Sequence, residues 1–121
     1  ALRQAQLKKG DALPVAQLAG IQAAKRTDEL IPLCHPVPLD HVAVSLMPDP
    51  QRCEVRIVCR TATTAKTGVE MEAFVGAALA AVALYDMVKA MDPAAVITEI
   101  KLLEKTGGKQ GFREGTPCAQ P

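Results

Sequence analysis

Aromatic side chains are nearly missing from this sequence: Phe74, Tyr85 and Phe112 are the only ones, and there is no tryptophan. Binding of single-stranded nucleic acid stacks successive bases on aromatic platforms, so three scattered rings argue against that class. An excess of one charge is missing too. Fourteen Lys and Arg stand against thirteen Asp and Glu, a net charge of +1. General nucleic-acid binding needs clustered excess cations. Any anion site here must therefore be a local group of amines. The four cysteines, Cys34, Cys53, Cys59 and Cys118, form no C-x-x-C pair and have no spaced histidines beside them. A structural zinc site is not expected. Cys53 and Cys59 fall on one side of an alternating run, where a thiol acts as a small buried hydrophobe. The chain reads as reduced and intracellular, without disulfides or a visible signal peptide. A long uncharged apolar run is also missing. Val69 to Met91 is long enough to raise the membrane question, but it carries Glu70, Glu72, Asp86 and Lys89 and reads as a soluble helix. The chain opens at Ala1, not Met, and reads as a fragment or processed form.

The 121 residues suit one domain, 1–121, with a flexible tail expected over 112–121. Asp11 can cap a helix and Pro14 suits its first turn. That helix is expected to reach Arg26, with Val15, Leu18, Ala19 and Gln22 at helical spacing. Pro32, Pro36 and Pro38 then impose an extended segment. His41 to Met47 alternates, with Val42, Val44 and Leu46 on one face. Pro48-Asp49-Pro50 reads as a turn. Arg52 to Thr61 alternates again, with Cys53, Val55, Ile57 and Cys59 on one side. Together they predict an antiparallel hairpin covered on one face. The long helix Val69–Met91 follows, small-sided over Gly76–Ala83, and Asp92-Pro93 ends it. A last strand is expected over Val96–Lys105. Helix, strand, strand, helix, strand is a ferredoxin-like order that lacks its first strand. The expected fold is α+β: an antiparallel sheet with both helices on one face, its other face covered by further subunits.

Four places could carry chemistry. Leu33-Cys34-His35-Pro36 is stiffened by prolines; from composition alone it reads first as a surface loop with a solvated imidazole, and adjacent Cys34 and His35 lack partners at metal-ligand spacing. Glu70 and Glu72 open the long helix, where the backbone dipole alone favours acids; one of them could instead accept a hydrogen bond from a polar ligand. Asp86 and Lys89, at i and i+3, read either as a surface ion pair or as an acid/base pair whose members tune each other. Lys9, Lys25, Arg26, Lys66, Lys105 and Lys109 sit in loops or at element ends. They are either ordinary solvated cations or a cradle for a polyphosphate. Thr106-Gly107-Gly108-Lys109 lacks the spacing of a P-loop. Glu72 and Asp86 are fourteen positions apart, so they lie ~40° apart around the helix and ~21 Å apart along it. They share a face but cannot reach one small reacting centre. Antiparallel contact between two copies of this helix would bring one copy's Glu72 toward the other's Asp86 and Lys89, and the small-sided middle would permit it.

The strings Lys9-Gly10-Asp11, Leu30-Ile31-Pro32-Leu33-Cys34-His35-Pro36, Lys66-Thr67-Gly68-Val69-Glu70-Met71-Glu72-Ala73 and Leu84-Tyr85-Asp86-Met87-Val88-Lys89-Ala90 resemble the cyclic pyranopterin monophosphate synthase family, MoaC. The likeness extends over about residues 9 to 112. It implies a ferredoxin-like fold in a cytoplasmic hexamer, a trimer of dimers with sites at subunit contacts. It implies conversion of a cyclic dihydroguanosine triphosphate to cyclic pyranopterin monophosphate, with release of pyrophosphate. Asp86 and Lys89 map onto the catalytic pair. Leu33, Cys34, His35, Met71 and Glu72 map onto substrate contacts, supported by Lys9, Lys25, Glu70 and Lys105. No tightly bound cofactor is implied; Mg2+ can accompany the triphosphate. Neither nucleic acid nor membrane is an expected partner. The competing reading is a regulatory module of similar topology that binds a small ligand between subunits without turning it over.

Overall fold

A computed structural model describes residues 12–65 and 68–106, and the backbone of 112–113. Its elements in chain order are α1 (Ala12–Lys25), the single turn α2 (Thr27–Leu30), β1 (His41–Asp49), β2 (Glu54–Ala62), α3 (Glu70–Val88), β3 (Glu104–Lys105) and β4 (Phe112–Arg113). The architecture is α+β, with an antiparallel hairpin backed by two helices.

Pro14 sits in the first turn of α1 and Lys25 in its last, where a cation meets the negative end of the helix dipole. The face α1 turns inward differs from the expected one. Ala12, Ala16, Gly20, Ala23 and Ala24 are buried, while Val15 and Leu18 are 48% and 54% exposed. The helical period is real, but the packed stripe is the small-residue one, because α1 lies almost backbone to backbone on α3. A Cβ added at Gly20 would stand 2.7 Å from the Gly76 carbonyl oxygen and 3.0 Å from the Ala80 Cβ. At the far end Ala12 and Ala16 meet Leu84, Met87 and Val88. The helices are therefore antiparallel. The small-sided middle of α3, expected to receive a second copy, is taken up by α1 of the same chain.

Both helices cover one face of the hairpin. Val44 and Cys59 are register partners; Val44 reaches Gly20 and the Cys59 Sγ reaches Gly76. Leu46, Val55 and Ile57 pack on the cluster at the other end. The alternating residues face the helices as their pattern predicts, but the turn lies further on than Pro48-Asp49-Pro50. Pairing runs from His41↔Ala62 to Asp49↔Glu54, so Pro48 and Asp49 belong to β1. The Asp49 carboxylate accepts the Gln51 and Arg52 backbone N–H groups at 3.1 and 3.3 Å, closing the turn as an Asx motif. Cys53 falls in that turn at φ 53 and is exposed. It is not the buried strand residue expected, because the extra turn residues displace it from the ladder.

α3 is shorter than expected at both ends. The largest correction concerns the last strand. Residues 96–103 form no ladder, and only Glu104–Lys105 pairs, with Phe112–Arg113. Val96, Ile97 and Ile100 remain exposed. A cavity of about 700 Å³ separates this segment from β2, with α3 as its floor. Among the described residues the C-terminal segment does not join the hairpin as the third strand expected of a ferredoxin-like order; the two pairs of strands form separate sheets. The tail expected from 112 lies, beyond Arg113, outside the described residues.

Candidate functional site

The residues singled out by sequence fall into two groups, one at each end of α3. At the amino-terminal end, Glu70 and Glu72 occupy the first turn and point to different surroundings. Glu70 accepts a hydrogen bond from Lys105 Nζ at 3.0 Å in a half-buried ion pair. Lys105 lies across Gly68, where an added Cβ would come 3.2 Å from its Cε. Glu72 is only 4% exposed. Its carboxylate, with that of Asp28, acts on the Cys34 thiol. Partial burial first, then these two charges, pushes that thiol above its ordinary value. The fold thus brings the Leu33-Cys34-His35 segment to the start of α3.

Within that segment the chain turns sharply. Leu33 adopts φ 68 with its side chain 99% exposed; Cys34 is half-buried and His35 exposed. Met71 is also exposed. Lys25 ends α1 at the same end of the layer, where Ala24 approaches Gly76, and is exposed. Lys9, Lys66 and Lys109 lie outside the described residues.

At the carboxyl-terminal end, Lys89 Nζ stands 2.9 Å from Asp86 Oδ1, and both side chains are more than half exposed. The hydrogen bond and charge of Asp86 raise the Lys89 pKa above its ordinary value, with a smaller contribution from Tyr85. Leu84, Met87 and Val88 are buried beneath them, so the pair is presented outward on a fixed base. Glu72 and Asp86 do not share the open face that their helical spacing suggested. Glu72 is closed in at 4% exposure, while the Asp86 side chain faces water.

Two contributors, Asp28 and Thr61, carried no visible signal in the sequence, and a third, Gly68, stood out only as part of the string Lys66–Ala73. Asp28, in the single turn α2, acts on Cys34. Thr61 donates its hydroxyl to the Val69 carbonyl at 2.9 Å and fastens the start of α3 to β2. Gly68 is the seat of the Lys105 stem. Only contacts between distant parts of the chain reveal these roles. Among the described residues no group of three or more His, Cys, Asp or Glu is placed to hold a metal ion.

A family model described as the MoaC family matches residues 1–108. A cyclic pyranopterin monophosphate synthase of Rhodospirillum rubrum is 57% identical over 105 residues, covering 87% of this chain and 63% of that protein. The protein of the same name from Heliobacterium modesticaldum is 54% identical over 110 residues, covering 91% and 69%. The human molybdenum cofactor biosynthesis protein 1 is 56% identical over 110 residues, covering 91% of this chain and 17% of that protein. This chain therefore spans about two thirds of the length of its bacterial relatives.

Proposed function

The chain belongs to the MoaC family, and we propose that it acts as a cyclic pyranopterin monophosphate synthase, as its relatives are named. It takes 3′,8-cyclo-7,8-dihydroguanosine 5′-triphosphate to cyclic pyranopterin monophosphate and pyrophosphate, in molybdenum cofactor biosynthesis. The observation that carries this reading is the Asp86–Lys89 pair, held at 2.9 Å on the open side of α3. A charged ammonium beside a carboxylate offers a proton donor and an acceptor within one contact, which is what a ring rearrangement by successive proton transfers needs. Closing the cyclic phosphate forms a P–O bond from a substrate hydroxyl to the α-phosphorus and breaks the P–O bond to pyrophosphate. The hydroxyl proton goes to a base, and charge gathers on the leaving group. Lys9, Lys25 and Lys105 are the amines suited to neutralise it. Mg2+ carried on the triphosphate would belong to the substrate.

In this reading the site is shared between subunits. Met71 and the Leu33–His35 segment of one copy, beside the enclosed Glu72, face the Asp86 and Lys89 of another, in a cytoplasmic hexamer built as a trimer of dimers. Leu79 and Val82, exposed on the outer side of α3, supply an apolar contact for it in place of the glycine and alanines that α1 covers. The proposed sheet is ferredoxin-like, a further strand filling the cavity between β2 and residues 100–106.

Incubation with the cyclic triphosphate, following pyrophosphate and pterin product, tests the activity. Silence of the wild type would end the reading. Mixing inactive Glu72→Ala and Asp86→Ala chains tests the shared site. In a two-fold pair each mixed dimer rebuilds one intact site, so random pairing returns up to about a quarter of wild-type activity. No recovery from properly mixed oligomers would place all the groups within one chain.

A further inference from the structure

Tyr85 is the one tyrosine of the chain, and neither the core nor the acid/base pair accounts for it. Its neighbours Leu84, Met87 and Val88 fill the inner side of α3, yet Tyr85 faces out, 36% exposed. Among the described residues no hydrogen bond holds its hydroxyl. Its backbone carbonyl accepts the Lys89 N–H at 2.9 Å, so the two side chains are i and i+4 neighbours on one stripe. Helical side chains lean toward the amino terminus, which lays the Lys89 stem back over the turn bearing Tyr85 and Asp86. The ammonium therefore has a carboxylate on one side and an aromatic ring on another. An outward ring beside a proton-transferring pair is a platform for one flat heterocycle. Its single occurrence fits a lone fused ring and not a run of bases.

We infer that Tyr85 is the ring-binding residue of the site, stacking the fused heterocycle of the substrate so that its nitrogens lie within reach of Asp86 and Lys89. This rests on the synthase reading and adds to it the residue that orients the ring. The ring, not the hydroxyl, supplies the contact. Tyr85→Phe therefore keeps KM within about twofold of wild type, while Tyr85→Leu raises it roughly ten- to a hundredfold, the measured range for loss of one stacked base.

With no tryptophan in the sequence, emission excited in tyrosine's absorption band, beyond that of phenylalanine, reports on Tyr85 alone. Titration with the cyclic triphosphate should quench that emission at saturation. Inorganic tripolyphosphate, which has no ring, should leave it unchanged. Pyrophosphate release with unchanged emission, or an unaltered KM in Tyr85→Leu, would overturn the inference while the synthase reading stood. A wild type that neither binds nor turns over the nucleotide would remove both, a distinguishable result.

Discussion

The two ends of α3 use the same kinds of residue differently. At its start Glu72 is enclosed, Glu70 is paired with Lys105, and the Leu33–Cys34 turn folds alongside. At its end Asp86 and Lys89 form a comparable charged pair, but in the open. A carboxylate enclosed near another chain segment is tied to the fold, so changing it disturbs both structure and chemistry. A pair on an open surface contributes little to stability, so whatever holds it in place is read out in function. On the synthase reading, the contrast separates residues that would build the site from residues that would act in it.

The largest effect should come from the open end. Lys89→Ala and Asp86→Asn should lower the rate of pyrophosphate release by about a hundred- to ten-thousandfold. Urea unfolding of either variant should shift by less than ~1 kcal/mol. A comparable loss of stability would erase the distinction between the ends. Next comes the seam near the closed end. Gly76→Ala places a Cβ 2.6 Å from the Cys59 Sγ. It should cost about 1–3 kcal/mol despite the better helix propensity of alanine, and adding Cys59→Ala should recover much of that loss in a double-mutant cycle.

The third effect is set by pH. Burial pushes the Cys59 thiol from 9.0 to about 11. Between these values the unfolded chain has released its proton and the folded chain retains it. Stability therefore falls as pH rises through that window, by on the order of 1 kcal/mol after allowance for the thiol's partial exposure. Denaturant midpoints measured across this range in wild type and Cys59→Ala would isolate the loss, which the variant should not show. The smallest effect is expected at the Glu70–Lys105 pair. Both partners are part-exposed, so Lys105→Met should change stability by less than ~1 kcal/mol. A larger cost would mean that the pair fastens residues 100–106 to α3.

Much of this was legible in the sequence because it depends on local period. The alternation of Val42, Val44 and Leu46 against Val55, Ile57 and Cys59 gave the hairpin, and the i, i+3 spacing gave the Asp86–Lys89 pair. The inward face of α1 was not legible. Val15 and Leu18 have the right spacing, but whether leucine or alanine faces inward depends on how close the neighbouring helix comes. Cys53 was misplaced because a two-residue shift in turn position is invisible to an alternating pattern. Residues 96–103 have strand composition, but a strand is defined by its partner, and composition cannot supply one. The effect of Glu72 on the Cys34 thiol joins residues nearly forty positions apart, a distance that local period does not bridge.

Gly20 and Gly76 confront each other, yet they leave different latitude for change. The obstacle to enlarging Gly76 includes a sulfur atom that another substitution can trim. The obstacle at Gly20 is a main-chain oxygen, which no substitution can remove. In a saturation library position 76 should therefore admit alanine when position 59 shrinks with it, while position 20 should stay glycine in every background, though it lies remote from the Asp86–Lys89 pair.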